Sequence, residues 1–234
     1  MKDKVVVVVG ASGGIGSAVS RELAAQGAQL VLVGRNPATL NVLAAELATD
    51  TLVIPTDITQ PQQVEDLMQK AVAELGAIDV LVNAAGAGVM KQYNKITPED
   101  LDLMLDLNLK GSFYTSQAAA NVMKEQKSGH ICNVIGILGK HPMAMAAAYC
   151  ASKFGVVGFS KSMAEELKRY GIKFTLCYFG GVDSPFWDQV TLKVDRSKML
   201  TPTTAAQAIM FALNSPPQAV PLEINLQPES HLFF

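Results

Sequence analysis

Short, almost continuously apolar runs alternate along the chain with longer segments rich in Ala, Leu and Glu. Runs without polar alternation are typical of strands that are covered on both faces. They predict strands at Lys4–Val9, Gln29–Val33, Thr51–Ile54, Asp79–Val82, His130–Ile135 and Lys173–Cys177. A last strand is expected near Glu223–Leu226, after the Pro216-Pro217 turn. The alternation of strands with helical segments predicts an α/β fold, a doubly wound, Rossmann-like parallel sheet with helices on both faces.

The segments between the strands carry apolar residues at helical spacing. They predict helices at Gly14–Gln26, Ala38–Ala48, Pro61–Leu75, Leu109–Lys127 and Ala147–Tyr170. No linker or low-complexity block interrupts the chain, so we expect residues 1–234 to form a single domain. The apolar tail Pro228–Phe234 is expected to pack on the body or on a neighbouring subunit.

Composition excludes several classes of protein. Apolar residues make up 49% of the chain and charged residues 17%, and the net charge is -2 without a basic stripe, which disfavours nucleic-acid binding. The apolar stretches fall short of the roughly 18 residues that a membrane helix needs. Cys132, Cys150 and Cys177 form no CxxC pair, and we interpret them as reduced core thiols of a cytoplasmic protein. No spacing indicates a metal site, a Ser-His-Asp set or paired carboxylates.

A glycine-rich loop follows the first strand directly and opens the first helix. It runs Gly10-Ala11-Ser12-Gly13-Gly14-Ile15-Gly16. In a doubly wound fold this position presents backbone N–H groups and a helix N-terminus to a pyrophosphate, and glycines permit the close approach. The alternative is an ordinary glycine-rich turn; its position favours dinucleotide binding.

The end of the second strand indicates which dinucleotide is bound. Gly34 stands where an acidic residue would hydrogen-bond the adenosine ribose, and Arg35 and Asn36 follow it. A guanidinium without a neighbouring carboxylate suits a 2′-phosphate. The alternative is a solvated arginine in a turn. The sequence therefore predicts NADP(H) in preference to NAD(H).

Tyr149 and Lys153 lie four residues apart, on one face of a predicted helix. Taken alone, this spacing is common by chance. It is accompanied, in order along the chain, by the glycine loop, Asn83-Ala84-Ala85-Gly86, Asn108 and the segment Gly180-Gly181-Val182-Asp183-Ser184. Over essentially its whole length, the chain resembles the short-chain dehydrogenase/reductase family.

The resemblance implies an oxidoreductase with Tyr149 as proton donor to a carbonyl, or as base toward an alcohol. Lys153 would hold the nicotinamide ribose and lower the pKa of Tyr149, with help from the oxidised nicotinamide. Asn108 would lie at a helix irregularity and support Lys153 through water; the alternative is an ordinary helix asparagine.

The resemblance also implies the rest of the cofactor site. Asp57 would bind the adenine amino group, with Ile58 beside it. Val182 and Ser184, following Gly180, would anchor the carboxamide. Small residues would lie along the cofactor at Asn83, Ala84, Ala85 and Gly86.

One position departs from the family pattern. The family's catalytic serine lies thirteen residues before the tyrosine, where this chain has Gly136. Losing a donor of this kind costs on the order of 10²–10³ in rate. Three interpretations follow: a water or a substrate hydroxyl replaces the serine; the enzyme is slow on simple carbonyls; or the chain is a catalytically impaired NADP(H)-binding regulatory or interaction protein.

In the family, the region at about 184–200 forms a lid over the substrate. With Gly136, an apolar pocket is expected from Met143, Met145, Phe179, Phe186 and Trp187, although the methionines are equally well explained as core filler. Such a pocket favours an apolar ketone, aldehyde or secondary alcohol. The two long helices form the subunit interface in relatives, which implies a homodimer or homotetramer.

Overall fold

A computed structural model describes residues 1–190 and 192–232, and it contains one parallel sheet of seven strands. The strand order is β3-β2-β1-β4-β5-β6-β7. This confirms the predicted doubly wound α/β fold. The strands are β1 (Val5–Val9), β2 (Gln29–Gly34), β3 (Thr51–Pro55), β4 (Val80–Asn83), β5 (Gly129–Val134), β6 (Ile172–Phe179) and β7 (Glu223–Leu226).

Helices cover both faces of the sheet. They are α1 (Gly14–Ala25), α2 (Pro37–Glu46), α3 (Pro61–Leu75), α4 (Pro98–Leu103), α5 (Ser112–Gln126), α6 (Ala147–Leu167) and α7 (Pro202–Leu213). Residues of α1, α2 and α7 share one core cluster with the sheet, and residues of α3, α5 and α6 share another on the opposite face.

The five valines of β1 show why the strand must be apolar throughout. Val6 and Val8 belong to the cluster under α1 and α7, whereas Val5, Val7 and Val9 belong to the opposite cluster. All five are buried. Each fully buried valine contributes about 1.5–3 kcal/mol relative to an exposed one, so a polar residue on either face would be costly.

Two helices were not predicted, although both begin with a recognisable signal. Thr97 caps α4 through its side chain and forms a capping box with Asp100, and Thr201 caps α7, with a proline in the first position of each helix. The predicted helix from Leu109 begins instead as a π-helix, Met104–Gly111, that runs into α5.

The tail lies only partly within the described residues. Pro228 packs against the main chain at Gly180, since a Cβ placed on Gly180 would lie 2.5 Å from Cδ of Pro228. Phe233 and Phe234 fall outside the described residues. Among the helices that are described, none has both the length and the apolar character needed to cross a membrane.

Strand order reverses between β1 and β4, and this positions the site. β1 pairs with β2 on one side and with β4 on the other, so the connections leave the carboxyl ends of β1 and β4 in opposite directions. The crevice opened at such a reversal is the usual ligand site of doubly wound sheets. The glycine loop follows the carboxyl end of β1, and Ala84, Ala85 and Gly86 follow that of β4.

Candidate active site

The glycine loop is built on close contact between main chains. Gly10 has φ +78°, and a Cβ placed on it would lie 2.6 Å from the backbone nitrogen of Ala85. A side chain at Gly10 would therefore push apart the turns that follow β1 and β4. Gly16 packs equally closely on the carbonyl oxygen of Gly10. Glycine is required here by both conformation and space.

The N-terminus of α1 faces the crevice without a competing anion. Gly13 is its N-cap, and the first turn carries no acidic side chain. Gly14 lies against Ser184, because a Cβ on Gly14 would be 2.5 Å from Cβ of Ser184. Ile15 packs on the core cluster beneath the loop. The cradle therefore fits a pyrophosphate, and the predicted carboxamide anchor lies beside it.

At the end of β2, Arg35 is exposed and makes no hydrogen bond or ion pair with residues 1–190 or 192–232. Ser12 lies alongside, with Oγ 3.5 Å from where a Cβ on Gly34 would be. Asn36 caps α2, its Oδ1 accepting from the backbone N–H of Ala38 at 2.9 Å. The Ser12 hydroxyl and the unpaired Arg35 guanidinium thus lie beside Gly34. An acidic residue at position 34 would place a carboxylate between them.

The turn after β3 carries Asp57, the predicted adenine contact. Its Oδ1 accepts hydrogen bonds from the backbone N–H and the hydroxyl of Thr59, at 3.0 and 2.8 Å. The carboxylate is thereby oriented, and its second oxygen is left for another donor. The side chain of Ile58 is buried against Gly111 and forms part of the core rather than an open wall.

Asn83 has a different position from the one predicted. Its amide donates to Asn133 Oδ1 at 2.9 Å and to Ser116 Oγ at 3.1 Å, and its Oδ1 accepts from the Thr115 hydroxyl at 2.8 Å. Asn133 in turn donates to Ser160. The prediction that Asn83 lies along the cofactor is therefore wrong for its side chain, which joins β4 and β5 to the helices beneath. The crevice wall is made by Ala84, Ala85 and Gly86.

Tyr149 and Lys153 lie on the same face of α6, as predicted, with Nζ of Lys153 5.7 Å from the centroid of the Tyr149 ring. Lys153 donates to the carbonyl oxygen of Val134 at 3.3 Å and lies beside Gly86, 3.5 Å from where its Cβ would be. Burial lowers the pKa of Lys153 to about 8. The ammonium therefore stands at the crevice with few protein partners.

The electrostatics of Tyr149 differ from the prediction. Burial, with a smaller contribution from Cys150, raises the pKa of the Tyr149 hydroxyl well above its usual range. The expected lowering by Lys153 is not found in the protein alone, because removal of the phenol from water outweighs a nearby ammonium that is itself desolvated. At neutral pH the hydroxyl keeps its proton.

Asn108 lies in the π-helix, which confirms that this asparagine occupies a helix irregularity. Its amide exchanges two hydrogen bonds of 3.0 Å with the backbone of Ala87. It also donates to Ser152 Oγ at 3.1 Å, and Ser152 donates to the Tyr149 carbonyl at 2.7 Å. Asn108 thus connects the turn after β4 with the first turns of α6. Sequence reasoning missed Ser152, although it directly precedes Lys153.

Gly136 differs from a serine position in backbone as well as side chain. Its φ of +86° and ψ of 154° lie in a region that only glycine readily adopts. A Cβ there would be 3.3 Å from the Tyr149 hydroxyl oxygen. Its backbone N–H donates a hydrogen bond to the Cys177 carbonyl oxygen at 3.2 Å. The chain therefore places bare main chain against the phenol.

The predicted substrate residues separate into two groups. Phe186 packs edge-on against Tyr149. Met143, like Tyr149, packs against the core cluster that contains Ile135 and Leu138, and it lines a shallow cavity of about 550 Å³. Trp187 packs against Phe186. The prediction is wrong for Phe179: neighbouring strand residues point to opposite faces, so its side chain is buried under α1 and α7.

We expect Gly136→Ser to destabilise the protein rather than to restore a catalytic group. The left-handed backbone costs a non-glycine residue about 1–3 kcal/mol, and the new Cβ would crowd Tyr149. Gly158→Ser, on α6 with nothing within 4 Å of its Cβ, is the matched control and should be neutral or slightly stabilising. Urea denaturation measures both, and equal free energies of unfolding would show that Gly136 tolerates a side chain.

Comparison with known proteins identifies the family. The family model for short chain dehydrogenase matches residues 4–195. An uncharacterized oxidoreductase of Staphylococcus epidermidis is 35% identical over 228 residues, 97% of this chain and 98% of the relative. Another, from Staphylococcus aureus strain N315, is 36% identical over 231 residues, with the same shares covered.

Solved structures agree with this result. An alcohol dehydrogenase of the archaeon Thermococcus sibiricus, complexed with 5-hydroxy-NADP, superposes with a TM-score of 0.92 at 25% identity and covers 99% of both chains. A metagenomic short-chain oxidoreductase in complex with NADP gives a TM-score of 0.85 at 29% identity, covering 97% of this chain and 98% of that one. Motif order, fold and sequence similarity together show that the chain belongs to the short-chain dehydrogenase/reductase family of oxidoreductases.

Proposed function

We propose that the protein catalyses the NADP(H)-dependent interconversion of an apolar ketone or aldehyde with its alcohol. The observation that carries this proposal is the shared position of Tyr149 and Lys153. Lys153 is buried and Tyr149 is half-buried on one face of α6, and Lys153 lies beside Gly86 at the crevice that begins with the glycine loop. A phenol and an ammonium so placed serve proton transfer next to a nucleotide site.

Each residue of the site has its own role in the proposed reaction. When bound, the nicotinamide supplies or accepts hydride. Tyr149 donates its proton to the substrate oxygen in reduction, or accepts one in oxidation. Lys153 holds the ribose hydroxyls with its ammonium. Asn108 and Ser152 hold the α6 turn in place, and Val182 and Ser184 fix the carboxamide.

In the proposed reduction Tyr149 is the proton donor. Its hydroxyl carries a proton at neutral pH, because burial raises its pKa. Alcohol oxidation would need the phenolate. The missing serine donor is replaced by water or by a hydroxyl of the substrate.

The preference for NADP(H) rests on Ser12, Gly34 and Arg35. A 2′-phosphate would find an unpaired guanidinium and a hydroxyl beside a glycine, without carboxylate repulsion. Both NADP-containing structures named above are consistent with this proposal. We further propose a cytoplasmic homodimer or homotetramer that is formed through α5 and α6, where Phe154 is exposed.

Replacing Tyr149 with Phe should lower kcat for carbonyl reduction about 10²–10⁴-fold while leaving NADPH affinity unchanged, because only the proton donor is removed. Tyr170→Phe is the matched control, since it removes a hydroxyl at the far end of α6 and keeps the ring that Lys124 and Arg169 contact. NADPH oxidation over a panel of apolar ketones and aldehydes measures the effect.

Equal rates for Tyr149→Phe and the parent protein would remove Tyr149 from the mechanism. NADPH binding, followed by fluorescence titration, without turnover of any substrate would favour the alternative of an NADP(H)-binding interaction protein.

Gly34→Asp and Arg35→Ala should each weaken NADPH binding about tenfold or more, because one adds a repelling carboxylate and the other removes a charged hydrogen-bond donor. NADH binding should be unchanged or, for Gly34→Asp, strengthened. Arg169→Ala, a surface arginine after α6, is the control. Equal losses for NADPH and NADH would contradict a phosphate site at Arg35.

The pH profile of reduction should show the titration of Lys153. With its pKa at about 8, the ammonium is present below pH 8 and is lost as pH rises. We therefore expect kcat/KM for reduction to be level near pH 6–7 and to fall above pH 8. In Lys153→Arg, whose guanidinium stays charged, the fall should move to higher pH. An unchanged midpoint in this variant would assign the titration to another group.

A further inference from the structure

A flat slot lies beside Tyr149, and the ring of Phe186 fills it. The Phe186 and Tyr149 rings have centroids 6.0 Å apart and an interplanar angle of 61°. Trp187 lies on another side of the same ring, with centroids 5.3 Å apart and planes at 84°. Both contacts are edge-to-face, the geometry that aromatic rings prefer. The slot thus has two aromatic walls.

The third wall is main chain. A Cβ placed on Gly88 would lie 2.4, 3.0 and 3.2 Å from three carbons of the Phe186 ring. The ring therefore occupies the space that any side chain at position 88 would take. Gly88, in the segment after β4, and Tyr149, on α6, thus contact the same ring from different elements.

The walls are held independently of the Phe186 side chain. Trp187 donates from Nε1 to the carbonyl oxygen of Val182 at 2.9 Å. Arg196 binds Asp183 at 2.6 Å and Asp188 at 2.7 Å, and it also donates to the Ser184 carbonyl oxygen. These bonds fix the backbone on both sides of Phe186. None of these bonds involves the side chain of Phe186, so they do not oppose its rotation out of the slot.

We propose that the slot binds an aromatic ring of the substrate in place of Phe186, and that the enzyme prefers aryl ketones and aldehydes to their saturated analogues. This inference rests on the proposed function and narrows its substrate class. A substrate ring would make the edge-to-face contacts with Tyr149 and Trp187 that Phe186 now makes. Its carbonyl would then lie near the hydroxyl of Tyr149. A saturated ring is thicker and lacks the π-face.

Because Phe186 competes for the slot, it also limits affinity. A ligand binds only the fraction of molecules in which the slot is open, and its apparent dissociation constant rises accordingly. Removing the Phe186 ring should therefore strengthen binding of the right substrate. A purely structural role for Phe186 would not produce that result.

The experiment is calorimetry on the NADP⁺-loaded protein, in which ketones bind without being reduced. The probes are acetophenone and cyclohexyl methyl ketone, which differ only in the saturation of the ring. We expect acetophenone to bind about tenfold more tightly, as two aromatic contacts allow. In Phe186→Ala its affinity should rise about fivefold. Phe211→Ala, which removes an exposed ring on α7, should change nothing.

Gly88→Val is the second variant, because its side chain would fill the slot. It should abolish the preference for acetophenone and shift the emission of Trp187, the only tryptophan of the chain, as Phe186 is displaced. Equal affinities of acetophenone and cyclohexyl methyl ketone for the parent protein would contradict an aromatic binding slot. Weaker binding of acetophenone by Phe186→Ala would contradict it as well. Turnover is recorded separately. Failure to reduce either ketone would count against the proposed reductase activity, whereas the slot is tested only by the ratio of the two dissociation constants from calorimetry.

Discussion

The contact of the Gly10 main chain with the main chain of Ala84 and Ala85 sets the geometry of the whole crevice. It holds the turns after β1 and β4 at a distance that no side chain would permit. The reversal of strand order opens the crevice, and this contact decides how near a ligand comes to the backbone on each side. Gly86 extends the same surface to Lys153. The proposed nucleotide site would therefore be largely a surface of main-chain atoms with few side chains.

Burial decides the proton chemistry of those few side chains. Lys153 has one backbone carbonyl as a hydrogen-bond acceptor and no carboxylate partner in the part of the chain that is described, so removal from water lowers its pKa to about 8. The same removal raises the pKa of Tyr149. The two shifts move the proton affinities of the amine and the phenol apart, because the pKa of Lys153 falls while that of Tyr149 rises. An anion or a cation that enters the crevice would shift both groups again, which couples proton transfer to occupancy of the nucleotide site.

The features that could be predicted from the sequence are those set by the hydrophobic pattern and by the spacing of motif residues. Nearly uninterrupted apolar runs identified β1 to β6, and β7 was placed after the Pro216-Pro217 turn. The glycine loop was placed correctly because it follows a buried strand. The packing of the Asn83 side chain was not predicted, since a motif does not reveal that Ser116 and Asn133 lie behind it. Phe179 was predictable: two residues along one strand share a face, and Cys177 is a core residue. The backbone angles of Gly136 depend on the turn that follows β5, which composition does not reveal.

With a glycine at position 136, the proposed reaction lacks the serine hydrogen-bond donor and needs another source of rate acceleration. A serine donor would stabilise charge developing on the substrate oxygen, and its loss is worth about 10²–10³ in rate. Positioning supplies comparable factors when the reacting atoms are held close and aligned. The rings of Tyr149 and Trp187 would offer such positioning to a substrate ring that takes the place of Phe186, and Arg196 fixes the backbone beside them. The proposed site would therefore rely on fit around Tyr149 where the family pattern has a serine hydroxyl.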